Sequence, residues 1–167
     1  MKLELIATAT FGLEAVVKRE IEALGYKVVK TEDGRVTYIG DERAVVRSNL
    51  WLRCADRVYI KLAAFEAKTF EALYQQTRAI PLEMYIPVGG SFPVVGTSVK
   101  SDLHSVPACQ KIIKKAAVEK LKSTYGFAGG EQLPETGAEY RIRFAALKNR
   151  FVLMLDTSGI GLHKIGY

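Results

Sequence analysis

KLELIATATFGLEAVVKREIEALGYKVVKTEDGRVTYIG, residues 2–40, decides the fold of the first part of the chain. KLELIATAT puts Leu3 and Leu5 on one side of an extended segment, which predicts a strand. Phe11 and Gly12 make the turn. Leu13, Val16, Val17, Ile21 and Leu24 then recur at helical spacing, and Gly25 is placed to cap that helix. KVVK and RVTYIG read as two short strands, and the Asp-Gly that ends TEDG between them is hairpin chemistry.

Beyond this stretch, DERAVVRSNLWLRCA predicts a second helix with Asp41 as its N-cap, and DRVYIKLAAFEA a strand rich in branched and aromatic residues. The order β-α-β-β-α-β over residues 1–66 is the ferredoxin-like pattern. Residues 67–167 form a second, α/β part, so the expected class is α+β. TFEALYQQTRAI predicts a helix that Pro81 ends or bends. SFPVVGTSV predicts a strand that is either at a sheet edge or irregular at its start, because Pro93 cannot donate to a ladder. SVPACQKIIKKAAVEKLKSTYG predicts a long helix with Ser105 as N-cap and Pro107 in its first turn. FAGGEQLPETG is a loop, and EYRIRFAALK and RFVLMLDTSG form a hairpin turning at Asn149.

Hydrophobic residues make up 49% of the 167 and charged residues 25%, which fits a globular chain. No apolar run approaches the roughly 20 residues that span a bilayer. The first residues lack the apolar core and cleavage site of a secretory signal. Cys54 and Cys109 lie outside any CxxC pattern and read as reduced, buried residues of a cytoplasmic protein.

The net charge of +6 is uneven: residues 1–66 carry +1 and residues 67–167 carry +5. A basic second part suggests a polyanion partner. At about 100° per residue, Lys111, Lys114, Lys115 and Lys122 share one arc of the long helix, opposite Cys109, Ile112, Ile113 and Ala116. Lys100, Ser101, His104 and Ser105 surround the helix start, where unpaired N–H groups favour an anion. Two readings stand: a grip on the phosphates of an RNA strand, or a capped helix with a solvated lysine face. Arg47 and Arg53 sit in the charge-balanced part, which favours ion pairs for them. Tyr74, Tyr85 and Tyr125 could stack bases or pack at the rim of the core.

Catalytic patterns are missing. VGGSFPVVGTSVKS lacks the spacing and the lysine of a phosphate-binding P-loop. His104 and Cys109, or His163 alone, do not complete a metal site. Asp156, Ser158 and His163 lack the setting of a hydrolytic triad. No catalytic, cofactor or metal residue is expected.

Three segments carry a resemblance. SNLWLRCADRVYIKLAAFEAKTFEALYQ resembles the junction between a ferredoxin-like and a THUMP domain. SVKSDLHSVPACQKIIKKAAVEKL resembles the central strand-turn-helix of THUMP, and DTSGIGLHKIGY resembles the segment before a methyltransferase domain. In order and spacing the chain is similar to the bacterial THUMP-containing 23S rRNA guanine-N2 methyltransferases, also labelled N6-adenine-specific DNA methylases. The resemblance implies a cytoplasmic, non-catalytic module that presents structured RNA, most of all 23S rRNA. Its C-terminal methyltransferase domain, using S-adenosylmethionine, is absent from residues 1–167. The RNA would meet Lys100, Ser101, His104, Ser105, Lys111, Lys114, Lys115 and Lys164. Ile165 stands where the family has a basic residue, which would weaken a contact in that tail. The alternative is the RNA platform of a tRNA-modifying enzyme, acting in thiolation or guanine methylation.

Overall fold

The computed structural model describes residues 1–158. It consists of two compact units that divide at Lys61 and Leu62. The first holds β1 (Leu3–Ala9), α1 (Glu14–Ala23), β2 (Lys27–Glu32), β3 (Arg35–Gly40) and α2 (Glu42–Trp51). β4 (Ala55–Glu66) begins in it and runs on into the second unit, so the division between the compact units falls within a strand. Strand order in the first unit is β2-β3-β1-β4, antiparallel throughout. This is the β-α-β-β-α-β arrangement that the alternation of periods predicted.

Each element has a local cause. α1 begins at Glu14, whose carboxylate accepts from the N–H groups of Gly12 and Gly34, each at 2.8 Å. Those bonds hold the Glu14 carboxyl below its ordinary pKa, the Gly34 amide contributing most. Leu13 precedes the helix and is exposed, so it is not part of the apolar face. Asp41 caps α2 by accepting from the Ala44 N–H at 3.0 Å. Val17 and Ile21 of α1, Val36 and Tyr38 of β3, and Ala44 and Val45 of α2 are fully buried. Inside this core the Tyr38 hydroxyl donates to Ser48 Oγ at 2.7 Å, and burial pushes its pKa up to about 12.

Asp156 and Thr157 group with the first unit, not the second. Arg57 Nη1 bonds Asp156 Oδ2 at 2.8 Å, and Thr157 Oγ1 donates to the Val58 carbonyl at 2.7 Å while accepting from Asn49 Nδ2 at 3.0 Å. Cys54 is half-buried, in contrast to the fully buried Cys109. It follows the end of α2 in a bend whose N–H groups bond Glu20, so its backbone, more than its thiol, is fixed.

The second unit contains α3 (Phe70–Arg78), β5 (Val94–Val99), α4 (Val106–Tyr125), β6 (Ile142–Leu147) and β7 (Arg150–Asp156), the last residue of β7 falling to the first unit. A single 3-10 turn, Leu82–Met84, follows Pro81 and was not anticipated; Leu82 and Ile86 anchor it in the core. Strand order is β7-β6-β5, with β6 antiparallel to β7 and parallel to β5. β5 is the outer strand and begins one residue after Pro93, the edge position being one of the two outcomes that Pro93 left open. Its Gly96 lies opposite Phe144, and a Cβ there would come within 2.3 Å of the Phe144 ring and 2.4 Å of its carbonyl oxygen. α4 buries Cys109, Ile113, Ala116, Ala117 and Leu121 and ends at Gly126 in a left-handed conformation, φ 76°. Among the described residues no helix is long and apolar enough to cross a membrane.

Candidate functional site

The alternation of buried and exposed positions along α4 leaves Lys111, Lys114 and Lys115 on one side, while Lys120 pairs with Glu83 on another. Pro93 and Val94, entering β5, and Pro107, Gln110, Lys111, Lys114 and Lys115 of α4 line a groove of about 540 Å³. The three lysines differ in freedom. Lys111 is exposed and has no acidic partner among the described residues. Lys115 is exposed too, with its ammonium 5.9 Å from the centre of the Tyr74 ring. Lys114 is engaged: its Nζ lies 2.6 Å from Glu135 Oε1, 3.0 Å from the Phe92 carbonyl and 3.6 Å from the centre of the Phe92 ring. Glu135, from the loop before β6, sets an acid against the basic arc. Lys114 therefore ties that loop to the groove rather than standing free.

Ser105 caps α4, its Oγ accepting from the Ala108 N–H at 3.3 Å, and keeps its own O–H to donate. The first turns of α1, α2 and α3 hold Glu14, Glu42 and Glu71, whereas that of α4 holds no acid. The partial positive charge of its N-terminus is therefore not offset locally.

The loop from β5 to α4 is held by the β6–β7 turn. Lys148 and Asn149 both take positive φ, 50° and 70°, as a tight two-residue hairpin turn requires. Asn149 accepts the Asp102 N–H at 2.8 Å and donates its own N–H to Ser101 Oγ at 3.0 Å. Ser101 Oγ donates to the Val99 carbonyl at 3.1 Å, so its only proton is used within the loop. It positions Lys100, which is exposed at φ 51°, and does not itself offer a donor to an anion. His104 is exposed, with Nδ1 3.1 Å from the Asp102 carbonyl; that bond leaves Nε2 pointing away from it. Lys164 lies outside the described residues.

Tyr74 is not an open stacking surface: its hydroxyl bonds Glu119, which also accepts from Arg78 Nη1 at 3.2 Å. Tyr125 donates to the Ile86 carbonyl at 2.6 Å, and Tyr85 is half-buried. Sequence reasoning passed over three residues. Gln110 lines the groove, Lys148 joins the basic tip through its N–H bond to the Val99 carbonyl at 3.1 Å, and Asn149 holds the loop. The Lys-Asn pair between two strands was a turn signal; its proximity to Lys100 depends on the parallel pairing of β5 and β6. In the first unit, Arg47 has no carboxylate partner among the described residues; it donates to the Tyr26 hydroxyl at 3.0 Å. The expected ion pair is replaced by an aromatic one.

Residues 4–59 match the RlmL ferredoxin-like domain and residues 67–156 match the THUMP domain. YpsC of Bacillus subtilis (strain 168), an RNA methyltransferase by name, is 52% identical over 166 residues, covering 99% of this chain and 43% of that protein. The ribosomal RNA large subunit methyltransferase K/L of Cellvibrio japonicus is 27% identical, over 98% of this chain and 22% of its own length. A crystal structure from Listeria monocytogenes, described as an N6-adenine-specific DNA methylase, has a TM-score of 0.91 and 48% identity, and is matched over 100% of this chain and 43% of its own. The chain thus spans less than half the length of these relatives.

Proposed function

The chain belongs to the THUMP family, with an RlmL ferredoxin-like domain ahead of the THUMP domain, and from that premise we propose that its second unit grips RNA through the lysine-lined groove of α4. The observation that carries this reading is the pair Lys111 and Lys115, both exposed at the groove rim without a carboxylate partner, beside the exposed Lys100 and His104. Their contacts would be to phosphates, which fix register and affinity rather than sequence. Ser105 would add its hydroxyl proton, and Lys114 would act from behind its bond to Glu135.

The finer reading follows the relatives. The module presents RNA, in the first place 23S rRNA, to a C-terminal domain that methylates guanine N2 with S-adenosylmethionine in the cytoplasm. The α4 groove itself does not fit that cofactor. S-adenosylmethionine is a net cation, its sulfonium and ammonium outweighing its one carboxylate, and three lysines line the groove. In this reading these residues bind and orient RNA, and the chemistry is left to the C-terminal domain.

The test is fluorescence anisotropy with a 23S rRNA hairpin and a tRNA acceptor-stem hairpin of equal length. Lys111→Glu combined with Lys115→Glu is expected to weaken binding of the 23S hairpin roughly 30-fold or more at low salt. Unchanged affinity overturns the groove as the site. Tighter binding of the acceptor stem would redirect the module to tRNA modification.

A further inference from the structure

We propose that the first unit carries a second RNA contact, a groove that takes one unpaired nucleotide, with its base against Arg47 and its phosphate between Lys2 and Arg43. The inference rests on the RNA reading above but on different residues.

Backbone register assembles the groove. Pairing of Leu3 with Gly40 brings Lys2 beside the end of β3, and pairing of Lys27 with Ile39 brings Tyr26 to the same end. α2 starts there, so Arg43 and Arg47, one turn apart, border the same space of about 490 Å³. Gly40 keeps the junction tight, since a Cβ there would lie 2.3 Å from that of Ala44.

The charges are available. Lys2 and Arg43 are exposed and have no partner among the described residues. Of the two acids nearby, Glu42 pairs with the Met1 amino group at 3.1 Å, and Asp41, which lines the groove, is drawn to the α2 N-terminus by the Ala44 N–H at 3.0 Å, leaving three cationic side chains against one carboxylate in the lining. Arg47 is half-buried, its guanidinium 5.3 Å from the centre of the Tyr26 ring and held there by the 3.0 Å bond to the Tyr26 hydroxyl. An arginine fixed on an aromatic ring presents a flat cation, a surface on which unpaired bases stack. A duplex hides its bases, so the chemistry selects a single-stranded nucleotide. A flat cation flanked by two free cations also suits RNA better than an acidic peptide, which needs no stacking surface.

The experiment compares a blunt RNA hairpin with the same hairpin carrying a single-stranded tail, by anisotropy on the whole chain. The tail is expected to tighten binding roughly 10-fold, the range of one stacked base. Arg47→Lys keeps the charge and removes the plane; Lys2→Glu with Arg43→Glu keeps the plane and reverses the charges. Each should erase the gain from the tail, leave the blunt hairpin unchanged and leave the melting temperature within a few degrees of the parent. Persistence of the gain in both variants overturns the inference. Equal binding of the two RNAs by the parent chain also overturns it, and neither outcome touches the α4 reading, which stands or falls on the Lys111 and Lys115 variant.

Discussion

α2 and α4 begin in opposite electrostatic company. At the start of α2, Asp41 supplies the cap and Glu42 the first-turn acid, and the arginines follow them. At the start of α4, a neutral serine supplies the cap, no acid stands in the first turn, and lysines follow. Both sequences place cations after a capped start. Only at α4 does the helix dipole add to the lysines instead of being offset. A basic run in a sequence thus says less about an anion site than the residues that precede it.

The two helices also dock differently. α2 adds a buried hydroxyl pair, Tyr38 to Ser48, to its buried Ala44 and Val45, whereas α4 buries Cys109, Ile113, Ala116, Ala117 and Leu121. The strongest way to break the contrast is to overpack the floor beneath each. Gly96→Ala, below α4, would drive a Cβ into the Phe144 ring and backbone, and should destabilise the second unit by about 3 kcal/mol or more in urea melts. Gly40→Ala, beside α2, clashes with the Ala44 methyl at 2.3 Å and makes ordinary contacts with Leu5 at 3.4 Å and Tyr26 at 3.8 Å, and should cost less, about 2 kcal/mol.

The Tyr38 hydroxyl gives α2 a pH dependence. Its pKa rises from 10.0 to about 12 on folding, chiefly by burial. The unfolded chain therefore loses the proton first, and this contribution is complete below pH 10.0 and is lost as pH climbs toward about 12. Chemical denaturation across that window should show stability falling by about 2 kcal/mol in the parent and less in Tyr38→Phe.

Smaller effects sharpen the electrostatic half of the comparison. Ser105→Ala and Asp41→Ala each remove a cap and should cost about 1 kcal/mol by thermal melting. Only the Asp41 loss should shrink at high salt, because only it removes a charge from the dipole. Glu135→Gln releases Lys114 from its acid and should tighten RNA binding about 3-fold by anisotropy at low salt.

Much of this was legible in the sequence. The β-α-β-β-α-β order followed from periods and turn residues, and both Asp41 and Ser105 were recognisable caps because their neighbours switch to helical spacing. Pro93 pointed to an edge or an irregular start for β5, and the strand is an edge strand. The 3-10 turn at Leu82–Met84 was not legible, since three residues carry no period. Nor was the bond of Lys114 to Glu135, which joins residues 21 apart through a loop of no fixed pattern. Arg47 was expected among ion pairs because local charge balances. Its partner is an aromatic ring 21 positions away, brought near by strand register. Ser101 looked like an anion donor; its proton is spent on Val99.

Salt dependence of RNA affinity reads out the α4 lysines themselves. Phosphates held by lysines release counterions, so the slope of log affinity against log salt counts the contacts, at about 0.9 per phosphate on duplex nucleic acid. Lys111→Ala with Lys115→Ala should reduce that slope by about 2 relative to the parent chain. A slope identical in the parent and the variant would show that the α4 lysines do not hold the strand.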